Sequence, residues 1–193
     1  METLEAIYKA LADELEKIGK RRDELVFSSG KVSADVMIIG EAPGKDEVEQ
    51  KAPFVGKAGK NLDEFLRISG ISRDELFITN TVKFRPYRTG ATGRKSNRPP
   101  DAGEIAACLP CLKKEIAIVR PKWIVTLGNT ALRALLTGKE TIGACHGTVI
   151  AFGDARLYPL YHPASIIYRP ELKEVYGHDV RRLKEFLGGN EQG

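Results

Sequence analysis

Three short apolar runs, each set between segments with helical periodicity, constrain the fold of this chain more than any other feature. The runs cover 35–39, 76–80 and 123–127 and are rich in β-branched and aromatic residues. Runs of this length and composition are typical of strands buried on both faces. Helix-length segments between them predict crossover connections. We expect an α/β fold of three layers (α/β/α) around a central, mostly parallel, four-stranded sheet.

Helical periodicity and its boundary signals predict the other elements. Asp101 lies at an N-cap position, and Glu104 three residues later completes a capping-box pattern. Glycines and prolines predict a loop over 83–100, whereas 147–161 alternates enough for a strand or hairpin. Helices are predicted over 2–19, 57–68, 101–119 and 170–187.

The chain has 193 residues, which is enough for one domain with its own core. We expect a single domain over 1–193, with an N-terminal helical segment over 1–30. No apolar run approaches the roughly 20 residues that cross a bilayer, and the N-terminus lacks a secretory pattern. A monomeric cytoplasmic protein without a membrane partner is therefore expected.

The cysteines do not predict a metal site. Cys108, Cys111 and Cys145 are too few for a disulfide framework. A zinc site needs about four ligands, for which Cys145 and His146 would have to join the other two cysteines. Cys108 and Cys111 fall inside a helical pattern, where small buried cysteines are common.

Basic residues are concentrated between positions 83 and 98. The net charge of +4 is modest, but this segment holds six basic residues and no acidic one. They are Lys83, Arg85, Arg88, Arg94, Lys95 and Arg98. The segment is either a solvated loop or a surface for a polyanion, and its charge alone leaves both interpretations open.

Polar and aromatic residues with chemical potential follow the predicted strands. Glu41 follows the first strand, Phe54 lies in the next loop, Asn80 ends the second strand, and His162 follows the last one. Ligands of parallel sheets bind at the carboxyl ends of strands, so these side chains can converge on one pocket. There an aromatic ring can stack on a flat ring, an amide can recognise its edge, and a histidine can face developing charge.

Four sequence blocks, GEAPG, PFVGKAG, TN and HPA, occur in this order. In this combination the chain resembles the uracil-DNA glycosylase superfamily, and its family-four branch most, over about residues 35–187. The resemblance implies a monofunctional DNA-repair hydrolase. Such an enzyme flips uracil out of single- or double-stranded DNA and hydrolyses its N-glycosidic bond, leaving an abasic site.

The resemblance also implies how the base is bound. Phe54 would stack on the flipped uracil, and Asn80 would bind its polar edge and reject cytosine. Glu47 would stand beside C5 and exclude the methyl group of thymine. Backbone groups around Glu41 and Ala42 would bind the base and position water.

Two residues are implied to be catalytic, Glu41 and His162. His162 would stabilise the negative charge that builds on uracil O2 as the bond breaks. Ala42 stands where the best-studied branch of the superfamily has an aspartate that orients water. The water-positioning group is therefore open, with the Glu41 carboxylate or main-chain carbonyls as candidates.

A second group of residues is expected to contact DNA: Lys83, Arg85, Ser165, Ile166 and Arg169. Ile166 and its neighbours, in a predicted loop after His162, could wedge into the duplex or belong to the core.

The sequence departs from the resembling branch at its iron–sulfur cluster. The first 30 residues contain no cysteine, and the K-C-R-P block reads Lys83-Phe84-Arg85-Pro86, so only Cys108 remains at a matching place. One cysteine cannot hold a cluster that needs about four ligands, and we predict no cofactor. Phe84 suggests apolar packing between the N-terminal helix, this loop and helix 101–119 in its place.

Two alternatives stay open. One is a glycosylase for another base, such as hypoxanthine, xanthine or mismatched thymine. The other is a module that binds uracil-containing DNA without catalysis.

Overall fold

The computed structural model describes residues 2–136 and 140–189. Its α-helices are Leu4–Lys17 (α1), Lys45–Gln50 (α2), Lys57–Ser69 (α3), Ala102–Val119 (α4), Gly128–Leu135 (α5), Ile142–Cys145 (α6), Pro163–Tyr168 (α7) and Leu172–Gly188 (α8). Its strands are Ser29–Gly30 (β1), Val36–Gly40 (β2), Leu76–Asn80 (β3), Tyr87–Thr89 (β4), Lys95–Asn97 (β5), Trp123–Leu127 (β6), Ile150–Phe152 (β7) and Ala155–Leu160 (β8). Single 3₁₀ turns occupy Arg22–Glu24 and Arg73–Glu75.

The central sheet has the strand order β1-β3-β2-β6-β8-β7. Its four inner strands are parallel, as predicted, and place Gly40 beside Asn80 at their carboxyl ends. The short edge strand β1 pairs antiparallel with β3 and was not predicted. The other edge strand, β7, pairs antiparallel with β8, so the segment 147–161 forms the hairpin that was one of its two predicted alternatives. The predicted mostly parallel α/β architecture is therefore confirmed, with a four-stranded centre inside a six-stranded sheet.

Alternate residues of the strands pack against helices on the two faces of the sheet. Ile38 and Val125 belong to the core that α3 and α8 cover on one face. Met37 and Ile124 belong to the core beneath α4 and α5 on the other face. This covering on both faces explains why the strands read as continuous apolar runs.

Three local predictions differ from the structure. The predicted loop 83–100 contains the antiparallel hairpin β4–β5. The segment after His162, predicted as a loop, is the short helix α7, and the Gly/Pro-rich segment after β2 contains α2. No helix of the described residues is long and apolar enough to cross a membrane.

Candidate active site

A pocket of about 340 Å³ lies at the carboxyl ends of the parallel strands. It is lined by all six of the residues expected to bind the base or to catalyse: Glu41, Ala42, Glu47, Phe54, Asn80 and His162. Pro86, Asn97, Arg98 and Tyr168 complete part of its rim. The fold therefore brings the sequence-predicted base-binding set together, in a volume typical of small-ligand sites.

Gly40 allows two of these side chains to converge. A Cβ atom at this position would lie 2.4 Å from Asn80 Oδ1 and 2.5 Å from Phe54 Cζ. Such distances are far below van der Waals contact, so only glycine permits this arrangement. Among the described residues, no protein group hydrogen-bonds the Asn80 carboxamide, although Asn80 is buried. The amide is thus available to a ligand.

Phe54 is held in an unusual backbone conformation. Its φ of 55° lies in the left-handed region, which bulky residues rarely adopt. Arg73 fixes the loop by donating to the Phe54 and Pro53 carbonyl oxygens at 3.0 and 2.9 Å. Gly59 of α3 admits the Phe54 carbonyl, because a Cβ there would lie 1.9 Å from that oxygen. Several contacts thus stabilise a strained residue at a candidate site.

Glu47 ties this loop to the preceding one. Its buried carboxylate accepts hydrogen bonds from the Gly44 N–H at 3.0 Å and the Gly56 N–H at 2.9 Å. The first bond caps α2, and the second closes the segment that carries Phe54. Both carboxylate oxygens therefore have backbone partners, so Glu47 organises the pocket wall of which it is a part.

His162 enters the pocket as a neutral imidazole. Its Nδ1 atom accepts a hydrogen bond from the Ala164 N–H at 3.1 Å, at the start of α7. Burial lowers the pKa of His162 to about 4. Because Nδ1 is an acceptor, the single proton of the neutral ring is on Nε2. The ring can donate a hydrogen bond to a ligand oxygen without carrying charge.

Glu41 is held in place by hydrogen bonds to both its side chain and its main chain. The Thr130 hydroxyl of α5 donates a hydrogen bond to its Oε2 atom. The Glu41 main-chain carbonyl accepts from the Val82 N–H at 3.0 Å, and the Gly40 carbonyl accepts from Thr81. These carbonyl oxygens and the Glu41 carboxylate thus each accept a hydrogen bond, so both kinds of candidate water-positioning group are held in place at the strand end.

Lys83 does not lie on the DNA-facing surface, and its predicted role as a DNA contact is wrong. Its side chain is fully buried, and its Nζ atom lies 2.7 Å from Glu115 Oε2. A helical residue, Glu115 of α4, thus neutralises it in the interior. Charge clustering in the sequence could not separate this inward-pointing lysine from its exposed neighbours.

The remaining basic residues of the segment lie on or near the hairpin. Arg88, Arg94 and Lys95 are exposed. Arg85 is half-buried and donates to Asn97 Oδ1 at 2.7 Å, while Arg98 forms a bidentate pair with Glu104. The hairpin therefore rises from the pocket rim with its cations facing outward.

In the segment after His162, the structure shows the core position that was one of the two alternatives left open for Ile166. Ile166 is half-buried and packs against the main core, and Ser165 is half-buried in α7. Arg169 is exposed and pairs with Glu171. The exposed aromatic residue at the pocket rim is Tyr168, at 82% exposure.

The residues do not fit an iron–sulfur cluster. Phe84 and Cys108 are buried together in an apolar cluster that also contains Leu11 of α1 and Cys111 of α4. This is the packing between α1, the loop and α4 that the sequence suggested. Within residues 2–136 and 140–189, no group of three or more His, Cys, Asp or Glu side chains could hold a metal ion.

Sequence reasoning missed Thr130 and Asn97, and it singled out Ile166 rather than Tyr168. Thr130 opens the helix after β6, and this place at a strand's carboxyl end was the available signal. Asn97 reaches the rim only because the hairpin folds back, which no local pattern predicts. Tyr168 stands out only once α7 turns Ile166 inward.

Comparison with known proteins shows the family. The sequence model of one protein family, the uracil DNA glycosylase superfamily, matches residues 27–184. A type-4 uracil-DNA glycosylase of Saccharolobus solfataricus is 37% identical over 92% of this chain and 85% of its own length. The Pyrobaculum aerophilum type-4 enzyme is 38% identical over 88% and 85%, respectively.

A solved structure shares the fold. The crystal structure of wild-type Pedobacter heparinus SMUG2 aligns with a TM-score of 0.54 at 12% identity, over 83% of this chain and 77% of that one. At this identity the likeness concerns the fold alone. The family model, which covers most of the chain, carries the assignment: the protein belongs to the uracil DNA glycosylase superfamily.

Proposed function

We propose that this protein is a monofunctional uracil-DNA glycosylase, a base-excision repair enzyme that hydrolyses the bond between uracil and deoxyribose. The observation that carries the proposal is the convergence of Phe54, Asn80, Glu41 and His162 on one pocket at the strand ends. The type-4 relatives, named as uracil-DNA glycosylases and similar over most of this chain, support the same activity.

The chemistry assigns a task to each of these groups. Phe54 stacks on the extruded uracil, and the free Asn80 amide pairs with its polar edge, which offsets the few kcal/mol that extrusion costs. As the C–N bond breaks, electrons move onto the uracil ring. The Nε2–H of neutral His162 then donates a hydrogen bond to O2, where charge develops. The Glu41 carboxylate, held by Thr130, positions the water that attacks the sugar.

DNA is bound around this pocket. We assign the backbone contacts to the hairpin cations with Arg85, and to Ser165 and Arg169 on the α7 side. Tyr168, exposed at the rim, has the wedge role that was one of the two alternatives for Ile166, and it fills the gap that the flipped base leaves in the stack. We further propose that the enzyme works without an iron–sulfur cluster, since Phe84 and Cys108 are packed in an apolar cluster.

A panel of DNA strands, each with one modified base, tests the proposal. Uracil, hypoxanthine, xanthine and a G·T mismatch are offered in duplexes, and uracil also in a single strand. We expect release of uracil, with strand scission only after alkali, because a monofunctional enzyme leaves the abasic site intact. Release of hypoxanthine with uracil untouched would contradict the substrate, and binding without any release would indicate a non-catalytic module.

A further inference from the structure

A fully buried ion pair lies behind the pocket and has no part in the chemistry assigned so far. The side chains of Lys83 and Glu115 are both 0% exposed. Removing two charges from water is costly, and apolar residues of similar volume often stabilise a fold as well or better. The contacts of the pair therefore indicate what else it does.

The Lys83 ammonium group donates hydrogen bonds to three acceptors. Besides Glu115 at 2.7 Å, its Nζ atom lies 2.5 Å from Thr79 Oγ1 and 2.6 Å from the Asn80 main-chain oxygen. Asn80 is the last residue of β3, with Gly40 as its partner in β2. Lys83 thus hydrogen-bonds the peptide unit that follows Asn80, the residue expected to recognise the base, at the carboxyl end of β3.

Glu115 holds the ammonium group from the far side. Its carboxylate also accepts hydrogen bonds from the Thr79 hydroxyl at 3.1 and 3.2 Å and from the Tyr8 hydroxyl at 2.7 Å. Burial and the neighbouring carboxylate raise the pKa of Tyr8, which keeps its phenol protonated and able to donate. The Tyr8 hydroxyl also forms a hydrogen bond with the Ser28 hydroxyl at 2.5 Å. The network therefore spans α1, β3 and α4.

We propose that Lys83, oriented by Glu115, is a positioning residue for Asn80. It fixes the peptide unit at the end of β3 and, through it, the angle at which the Asn80 amide meets the base. This inference rests on the proposed function. A misplacement of the order of 1 Å in a substrate-positioning group can cost about 100-fold in rate. Loss of the Lys83 contact should therefore reduce the rate of the bound complex more than its affinity for DNA.

The double variant Lys83→Met/Glu115→Met tests the proposal, because it removes both charges and leaves neither one unpaired in the interior. We expect it to fold, with the single-turnover rate at saturating enzyme reduced by about 10-fold or more. The enzyme concentration giving half-maximal rate should change less than about two-fold. Tyr158→Phe is the matched control, since Tyr158 is buried, donates to the Asp179 main-chain oxygen at 2.8 Å and does not line the pocket. It should lower the melting temperature and keep the wild-type rate.

A second double variant, Lys83→Met/Glu115→Gln, keeps acceptors for Tyr8 and Thr79. It should show the same loss of rate. A folded double variant with the wild-type rate would overturn the proposal while the wild type still releases uracil. Failure of both double variants to fold where Tyr158→Phe is folded would also overturn it, in favour of a purely structural pair. Absence of uracil release by the wild type would instead contradict the proposed function.

Discussion

At the scale of single residues, the pocket depends on atoms that are absent as much as on those present. Gly40 has no side chain, and the space beside it is filled by the Asn80 amide and the Phe54 ring. The sequence shows a glycine after a strand, which is ordinarily read as a turn. Its steric role becomes visible only when the neighbouring strand and the next loop are in place.

Gly40→Ala should therefore strongly reduce the rate of uracil release while leaving the fold largely intact. The added methyl group would meet Asn80 Oδ1 and Phe54 Cζ at about 2.5 Å, so both side chains must leave their positions. We expect uracil release to fall by about 100-fold or more. Gly143→Ala is the control, because its nearest neighbour would be 3.8 Å away, an ordinary contact. A Gly40→Ala enzyme with wild-type kinetics would refute this steric argument.

The protonation state of His162 should determine how the single-turnover rate depends on pH on the acid side. Burial lowers its pKa to about 4, below the value of about 6.5 of an exposed imidazole. The folded protein therefore favours the neutral ring, which contributes stability above about pH 6.5, and this contribution is lost as the pH falls through about 4. The single-turnover rate should not fall near pH 6.5. An acid limb near 6.5 that disappears in His162→Asn would mean that the ring titrates normally.

At the scale of elements, helix and strand existence followed from periodicity, whereas the tertiary placement of short segments did not. The helix at Asp101 begins at its predicted capping box, with Asp101 accepting from the Glu104 N–H at 2.9 Å. The hairpin β4–β5 and the helix α7 were read as loops, because glycine and proline content dominates such short windows. The inward direction of Lys83 was missed for a different reason, because a cluster of basic residues in the sequence does not distinguish a buried lysine from an exposed one.

The hairpin should contribute electrostatically to DNA binding. Replacing Arg88, Arg94 and Lys95 with alanine removes up to three phosphate contacts, and each one lost should lower the slope of log affinity against log salt by about 0.9. The measurement is binding of a uracil-containing duplex over a range of salt concentrations.

Its control is a triple alanine variant of Lys31, Lys122 and Lys184. Lys122 precedes β6 and pairs with Asp35, which places it at the amino ends of the strands, away from the pocket. Lys31 lies near Lys122, and the Lys184 ammonium lies near Gly70. Equal slopes for the two triple variants would show that the hairpin does not bind the phosphate backbone.

At the scale of the whole molecule, α1, the loop after β3 and α4 are joined by apolar packing around Phe84. The resembling branch usually carries an iron–sulfur cluster in this part of the fold, but the missing cysteines of this chain predict that it has none. Anaerobically purified protein should contain no iron and no broad absorption band near about 400 nm. Phe84→Ala should reduce the free energy of unfolding by about 3–5 kcal/mol in denaturant titrations. Stoichiometric iron would contradict this account of the cluster.

The pocket around Asn80 is proposed to recognise uracil and to be the site where it is excised. The most direct measurement is single-turnover release of uracil from single- and double-stranded DNA by the wild type and by Asn80→Asp. The amide offers both a donor and an acceptor to the base edge, whereas an ionised aspartate offers acceptors only. We predict release by the wild type and a loss of about 100-fold or more in the variant. Equal release by both proteins would contradict the role of Asn80, and no release by the wild type would contradict the proposed function.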